Sequence, residues 1–63
     1  MQMLRRIRLD RGLTQAQLAD RVGVRQSTVA AWETGTKKPS MDHAMETARV
    51  LACTVEELYG KGA

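Results

Sequence analysis

Phenylalanine is absent from this 63-residue chain, which carries one tryptophan, one tyrosine, one proline and one cysteine. With a single cysteine no intramolecular disulfide can form, and a cysteine-rich metal site fails on ligand count. Such usage suits a reducing cytoplasm. Long apolar runs are missing too. The longest, Val29 to Trp32 and Val50 to Cys53, fall far short of the ~18 residues that span a bilayer, and Met1 leads into arginines rather than a secretory core. No membrane association is expected. No glycine-rich phosphate loop, paired metal-ligand motif or nucleophile and base grouping stands out, so an enzyme, a metal, an organic cofactor and a small-molecule ligand are not expected either. A chain this short buries only about 60% of the surface its unfolded form exposes, which allows one domain, residues 1–63, with an economical core.

What the chain does have is base, unevenly placed. Its net charge is +3, yet residues 1–39 hold Arg5, Arg6, Arg8, Arg11, Arg21, Arg25, Lys37 and Lys38 against Asp10, Asp20 and Glu33. Residues 40–63 hold Arg49 and Lys61 against Asp42, Glu46, Glu56 and Glu57. A solvated surface that only keeps a protein soluble predicts no such asymmetry, whereas a polyanionic partner for the first part does.

Valine, leucine, alanine and methionine recur at spacings of three and four, which reads as all-α. Leu4, Ile7 and Arg11 share a face of a first helix over about Gln2 to Arg11, and Gly12 ends it. Thr14 followed by Gln17 is a capping box, opening a second helix that carries Ala16, Leu18, Ala19 and Val22 up to Gly23. After a tight turn a third helix runs from Arg25 to Thr34, with Val29 and Trp32 inward, and stops at Gly35. Gly35 to Ser40 is a loop in which Pro39 breaks the chain and Ser40 caps a fourth helix, about Met41 to Ala52. Its apolar stripe is Met41, Ala44, Met45, Ala48 and Leu51, leaving His43 toward water and the methionines as core filler. Thr54 and Glu57 form a second capping box for a short fifth helix carrying Val55, Leu58 and Tyr59, after which the end of the chain frays. Cys53, between the last two helices, packs rather than reacts. These elements make a compact five-helix domain without repeats or linkers.

The stretch Gly12-Leu-Thr-Gln-Ala-Gln-Leu-Ala-Asp-Arg-Val-Gly-Val-Arg-Gln-Ser-Thr-Val-Ala-Ala-Trp-Glu-Thr-Gly35 resembles the helix-turn-helix of the phage Cro and repressor family, the Xre type, with the motif itself over about residues 14–34. The resemblance extends from Leu4 through Leu58, including Pro39 and the segment from Thr54. It implies a lambda-repressor-like domain that regulates transcription by binding double-stranded DNA, and a bacterial or phage-encoded protein of the cytoplasm. A repressor bound to a palindromic operator as a homodimer is the expectation, since one domain reads too little sequence alone. A protein-interaction adaptor or antitoxin-like module, with DNA binding secondary, is the competing reading. The Met1 start favours a small complete protein, the other reading being a domain of a longer repressor.

With Val29 and Trp32 facing inward, Arg25, Gln26, Ser27, Ala30 and Ala31 are the candidates to face bases. The Gln26 carboxamide donates and accepts at once and so matches adenine N6 and N7. Ser27 suits a base edge or a phosphate, the alanines only a thymine methyl, and so sparse a surface leaves part of the specificity to DNA shape. Arg25 stands where the family usually has Ser or Thr, so a helix cap is lost and a guanidinium gained. Gln15 lies at the positive end of the second helix, where the resemblance implies a phosphate contact beside Gln26. Thr28, Thr36, Lys37 and Lys38 are the other phosphate candidates. The resemblance also implies an ion pair between Arg8 and Glu33 that orients the first helix against the third. Val55, Leu58 and Tyr59 either form a dimer contact or close the core.

Overall fold

Thr14, Ser40 and Thr54 each turn a hydroxyl onto an amide three residues ahead, which supplies a partner for one of the donors that a helix start leaves unpaired. Thr14 accepts from the Gln17 amide at 3.0 Å while the Gln17 side chain accepts from the Thr14 amide at 2.9 Å. Thr54 and Glu57 repeat that reciprocal pair at 3.1 and 3.0 Å, and Ser40 accepts from the His43 amide at 3.1 Å. In the computed structural model, which describes residues 1–61, these caps open α2 (Gln15–Val22), α4 (Met41–Val50) and α5 (Val55–Leu58). Two helices without side-chain caps, α1 (Leu4–Asp10) and α3 (Gln26–Thr34), complete an all-α fold, with no strand among the described residues. Gly62 and Ala63 of the end expected to fray lie outside the described residues.

α2 packs on α3 and α4, α5 closes on α4, and α1 lies against α3. Leu4, Leu18, Val29, Leu51 and Leu58 are fully buried around Trp32, and Ala19, Ala44 and Ala48 are buried beside them. Small side chains where α2 meets α4 let the two backbones approach, which suits a chain with no phenylalanine to fill a wider gap.

Three expectations change. The first helix is shorter than Gln2 to Arg11, because Met3 and Arg11 occupy its two cap positions. The buried stripe of α4 is rotated toward Thr47, which is fully buried and donates its hydroxyl to the His43 carbonyl at 2.7 Å. That bond removes the cost of burying a hydroxyl, and the rotation swings Met41 and Met45 out to 66% and 58% exposure. These methionines are surface, not core filler. Finally, α4 ends at Val50 rather than Ala52. Ala52 adopts a left-handed conformation at φ 54°, and the Cys53 amide turns back to the Ala48 carbonyl at 3.0 Å.

Two contacts tie the ends of this bundle together. Arg11 Nε donates to the Leu51 carbonyl at 2.8 Å, satisfying an acceptor that the end of α4 would otherwise leave unpaired. Met1 tucks its side chain into the core at 7% exposure, and its nitrogen donates to the Trp32 carbonyl at 3.2 Å. His43, exposed as expected, sets its ring 5.8 Å from that of Trp32.

Candidate nucleic-acid interface

A sharp reversal between α2 and α3 requires one residue with positive φ, and Gly23 supplies it at φ 87°. The Gly23 and Val24 amides both return to the Ala19 carbonyl, at 2.8 and 2.9 Å, so the turn is closed by backbone bonds alone. Val22 and Val24 pack against the core on either side of it. Beyond the turn Arg25 is extended, at φ −81° and ψ 153°, and occupies the N-cap position of α3 without capping it through its side chain. Its carbonyl accepts from the Thr28 amide at 3.0 Å, while the guanidinium stands in solvent.

Burial of Val29 and Trp32 fixes the rotation of α3 about its own axis. Arg25, Gln26 and Ser27 are exposed at its start, and Thr28, Ala30 and Ala31 are half-buried. Thr36, Lys37 and Lys38 are exposed just past its other end. Nine residues of α-helix span roughly 13 Å, so these two groups of side chains sit at opposite ends of one short rod. The loop is folded back on that rod: the Lys37 amide donates to the Ala31 carbonyl at 3.3 Å, and the Thr34 and Thr36 hydroxyls share a hydrogen bond of 2.9 Å.

Beneath the rod lies a buried polar network. Arg8 Nε donates to Glu33 Oε2 at 2.6 Å and Arg8 Nη2 to Glu33 Oε1 at 3.3 Å, the two side chains being 7% and 5% exposed. A further bond runs from Arg8 Nη1 to the Leu13 carbonyl at 2.7 Å. Gln15 Nε2 donates to Glu33 Oε1 at 2.9 Å. Three donors thus converge on one carboxylate from α1 and from the first residue of α2, and they lock both to the last turn of α3. Sequence reasoning joined Arg8 to Glu33 but placed Gln15 only at the helix start. The structure turns one amide hydrogen of Gln15 inward, leaving its second hydrogen and its oxygen for other partners. The one available signal was that Gln15 and Arg8 flank the same loop glycine.

The remaining sequence candidates divide. Leu58 is fully buried, so it closes the core and is not a surface contact, whereas Val55 and Tyr59 are half-buried. With Met41, Glu56 and Lys61 they line a groove of about 410 Å³ on the outer side of α5. Among the described residues no group of histidine, cysteine and carboxylate side chains is placed to hold a metal, and no helix is long and apolar enough to cross a membrane.

Comparison with known proteins agrees with this geometry. The family described as Helix-turn-helix matches residues 4–58 of the chain. An uncharacterized HTH-type transcriptional regulator of Archaeoglobus fulgidus is 39% identical over 56 residues, covering 89% of this chain and 80% of that protein. Another such regulator, from Methanothermobacter thermautotrophicus, is 45% identical over 49 residues, covering 78% and 71% respectively. The cryptic phage CTXphi transcriptional repressor RstR of Vibrio cholerae is 34% identical over 50 residues, which is 79% of this chain and 45% of the repressor.

Proposed function

Since the chain belongs to the helix-turn-helix family of DNA-binding transcriptional regulators, we propose that it is a repressor that reads a palindromic operator as a two-fold dimer in the cytoplasm. The observation that carries the reading is the division of α3 into a buried side and a bare one. Val29, Trp32 and Glu33 anchor it from below, while Gln26 and Ser27 stand free above at the end that enters a major groove.

In this reading Gln26 contacts adenine, Ser27 a base edge or phosphate, and Arg25 a guanine or a phosphate beside them. Ala30 and Ala31 allow close approach to thymine methyls. Gln15, held by Glu33, presents its free amide hydrogen to a phosphate together with Thr28, and Thr36, Lys37 and Lys38 hold the backbone at the far end. Arg8 and Glu33 position α1 and α2 under the reading helix. Dimerisation through the groove beside α5 sets two copies of α3 about one helical turn of DNA apart, roughly 34 Å.

Selection of bound sequences from random DNA, followed by titration of two variants, tests the assignment. Gln26→Ala should relax preference at one position in each half-site and cost about 1–3 kcal/mol there. Lys38→Ala should weaken binding to every sequence alike and lower the slope of affinity against salt by about one. If both variants weaken all sequences equally, Gln26 is not a reader.

A further inference from the structure

The carbonyl groups at the end of α3 carry the partial negative charge of a helix C-terminus, which disfavours a phosphate nearby. No basic residue stands in the last turn of α3 to offset it. Instead the Ala31 carbonyl takes two donors from the chain itself, the Lys37 amide and the Thr34 hydroxyl, each at 3.3 Å. A carbonyl oxygen has two lone pairs, so this one is fully engaged. The Thr34 hydroxyl also lies 2.9 Å from that of Thr36.

Counting hydrogens fixes the direction of this chain of bonds. A threonine hydroxyl has one hydrogen to donate and accepts through its oxygen. Once Thr34 spends its hydrogen on Ala31, only the Thr36 hydrogen is left to make the bond between the two hydroxyls. Both bonds therefore coexist in one arrangement, with Thr36 donating to Thr34 and Thr34 to Ala31. The Thr36 hydroxyl then keeps lone pairs alone, and a phosphate oxygen, itself an acceptor, gains nothing from it. The amides of Gly35, Thr36 and Lys38, by contrast, have no backbone partner among the described residues.

We propose that Thr34 and Thr36 are positioning residues, a hydroxyl relay that ties the loop to the Ala31 carbonyl and aims its free amides, with Lys37 and Lys38, at a DNA phosphate. Thr34 touches no DNA, and Thr36 offers the phosphate its backbone amide rather than its hydroxyl. Each bond polarises the next in such a chain, so the two strengthen each other. The inference rests on the DNA-binding reading above and divides the roles at one of its backbone contacts.

A double-mutant cycle tests the relay. Thr34→Val and Thr36→Val each keep the branched shape and delete one hydroxyl, at positions that are both exposed. Either change should weaken binding to every DNA sequence by about threefold to tenfold, the net worth of a hydrogen bond. The double variant should be no weaker than the worse single, because the two hydroxyls act as a unit. Thr34→Ser and Thr36→Ser, which keep the hydroxyl, should each bind as the wild type does. In the free protein, NMR order parameters of the amides of residues 35–38 should fall in both valine variants. If Thr36→Val costs affinity while Thr34→Val does not, or the two losses multiply in the double variant, the Thr36 hydroxyl reaches the phosphate itself and the proposal falls. Order parameters unchanged in both valine variants would also overturn it. A wild-type protein that binds no DNA of any sequence would overturn the DNA-binding reading instead, an outcome that the order parameters of the free protein keep apart from failure of the relay.

Discussion

Replacing Glu33 with glutamine keeps the volume and shape of the side chain and removes its charge. The carboxylate accepts from Arg8 Nε, Arg8 Nη2 and Gln15 Nε2. A glutamine there has one acceptor oxygen, so at least one of those donors faces an amide nitrogen that also donates. The Arg8 side chain, 7% exposed, is then a buried cation without its counter-charge. Removing one partner of such a pair costs about 3–5 kcal/mol, and a domain of this size is stable by roughly 3–9 kcal/mol. Glu33→Gln should thus forfeit a third of the stability at least, and can abolish folding. The assay is urea unfolding at 25 °C, followed by far-ultraviolet circular dichroism and by the emission of Trp32, which is 2% exposed. With a slope near 1 kcal/mol per molar urea, the midpoint should fall by about 3 M. Pairing Arg8→Met with Glu33→Leu, which leaves neither charge buried, should restore most of the loss. A shift under about 1 M for Glu33→Gln, or a double variant no better than the single, would refute a buried and desolvated pair.

Leu58→Ala opens a cavity in the core and should cost about 2–5 kcal/mol, while Met45→Lys on the exposed side of α4 should change stability by less than about 0.5 kcal/mol; equal effects in thermal melts would contradict the rotation of that helix. Ala52→Gly relieves the left-handed backbone at φ 54°, which costs a residue with a Cβ roughly 1–2 kcal/mol, and against the entropy glycine loses on folding it should stabilise by about 0.5–1 kcal/mol. A lower melting temperature would count against strain there. Burial, and then Glu57, push the Cys53 thiol above its ordinary value of 9.0, with Arg11 opposing. Alkylation by iodoacetamide at neutral pH should accordingly be slower in the folded protein than in urea. Because folding favours the protonated thiol, this small contribution is intact at neutral pH and is lost only as the pH climbs through the raised value.

The capping residues made most of the fold legible from sequence. Thr14 with Gln17, Ser40, and Thr54 with Glu57 act within three residues, and so they show in a linear pattern. Contacts that depend on the rotation of one helix against another did not show. Met41 and Met45 fit an apolar stripe as well as Thr47 does not, yet Thr47 is the buried one, because its hydroxyl finds a carbonyl four residues back inside its own helix. Leu58 carried two readings that only its complete burial in the core separates. At the interface, Val29 and Trp32 revealed which side of α3 is bare. The link between Gln15 and Glu33 stayed hidden because it joins residues 18 apart through a side chain that any helix start could have left in solvent.

The carboxylate of Glu33, gripped from two other helices, holds α3 at its far end and from beneath. No side chain on the outer surface of its first turn takes part in that grip. Arg25, Gln26 and Ser27 are exposed and outside that grip, so on the proposed reading a few substitutions there would change the operator without touching what folds the protein. What the end of α3 nearest Arg25 presents to a partner is thereby separated from what holds α3 in place.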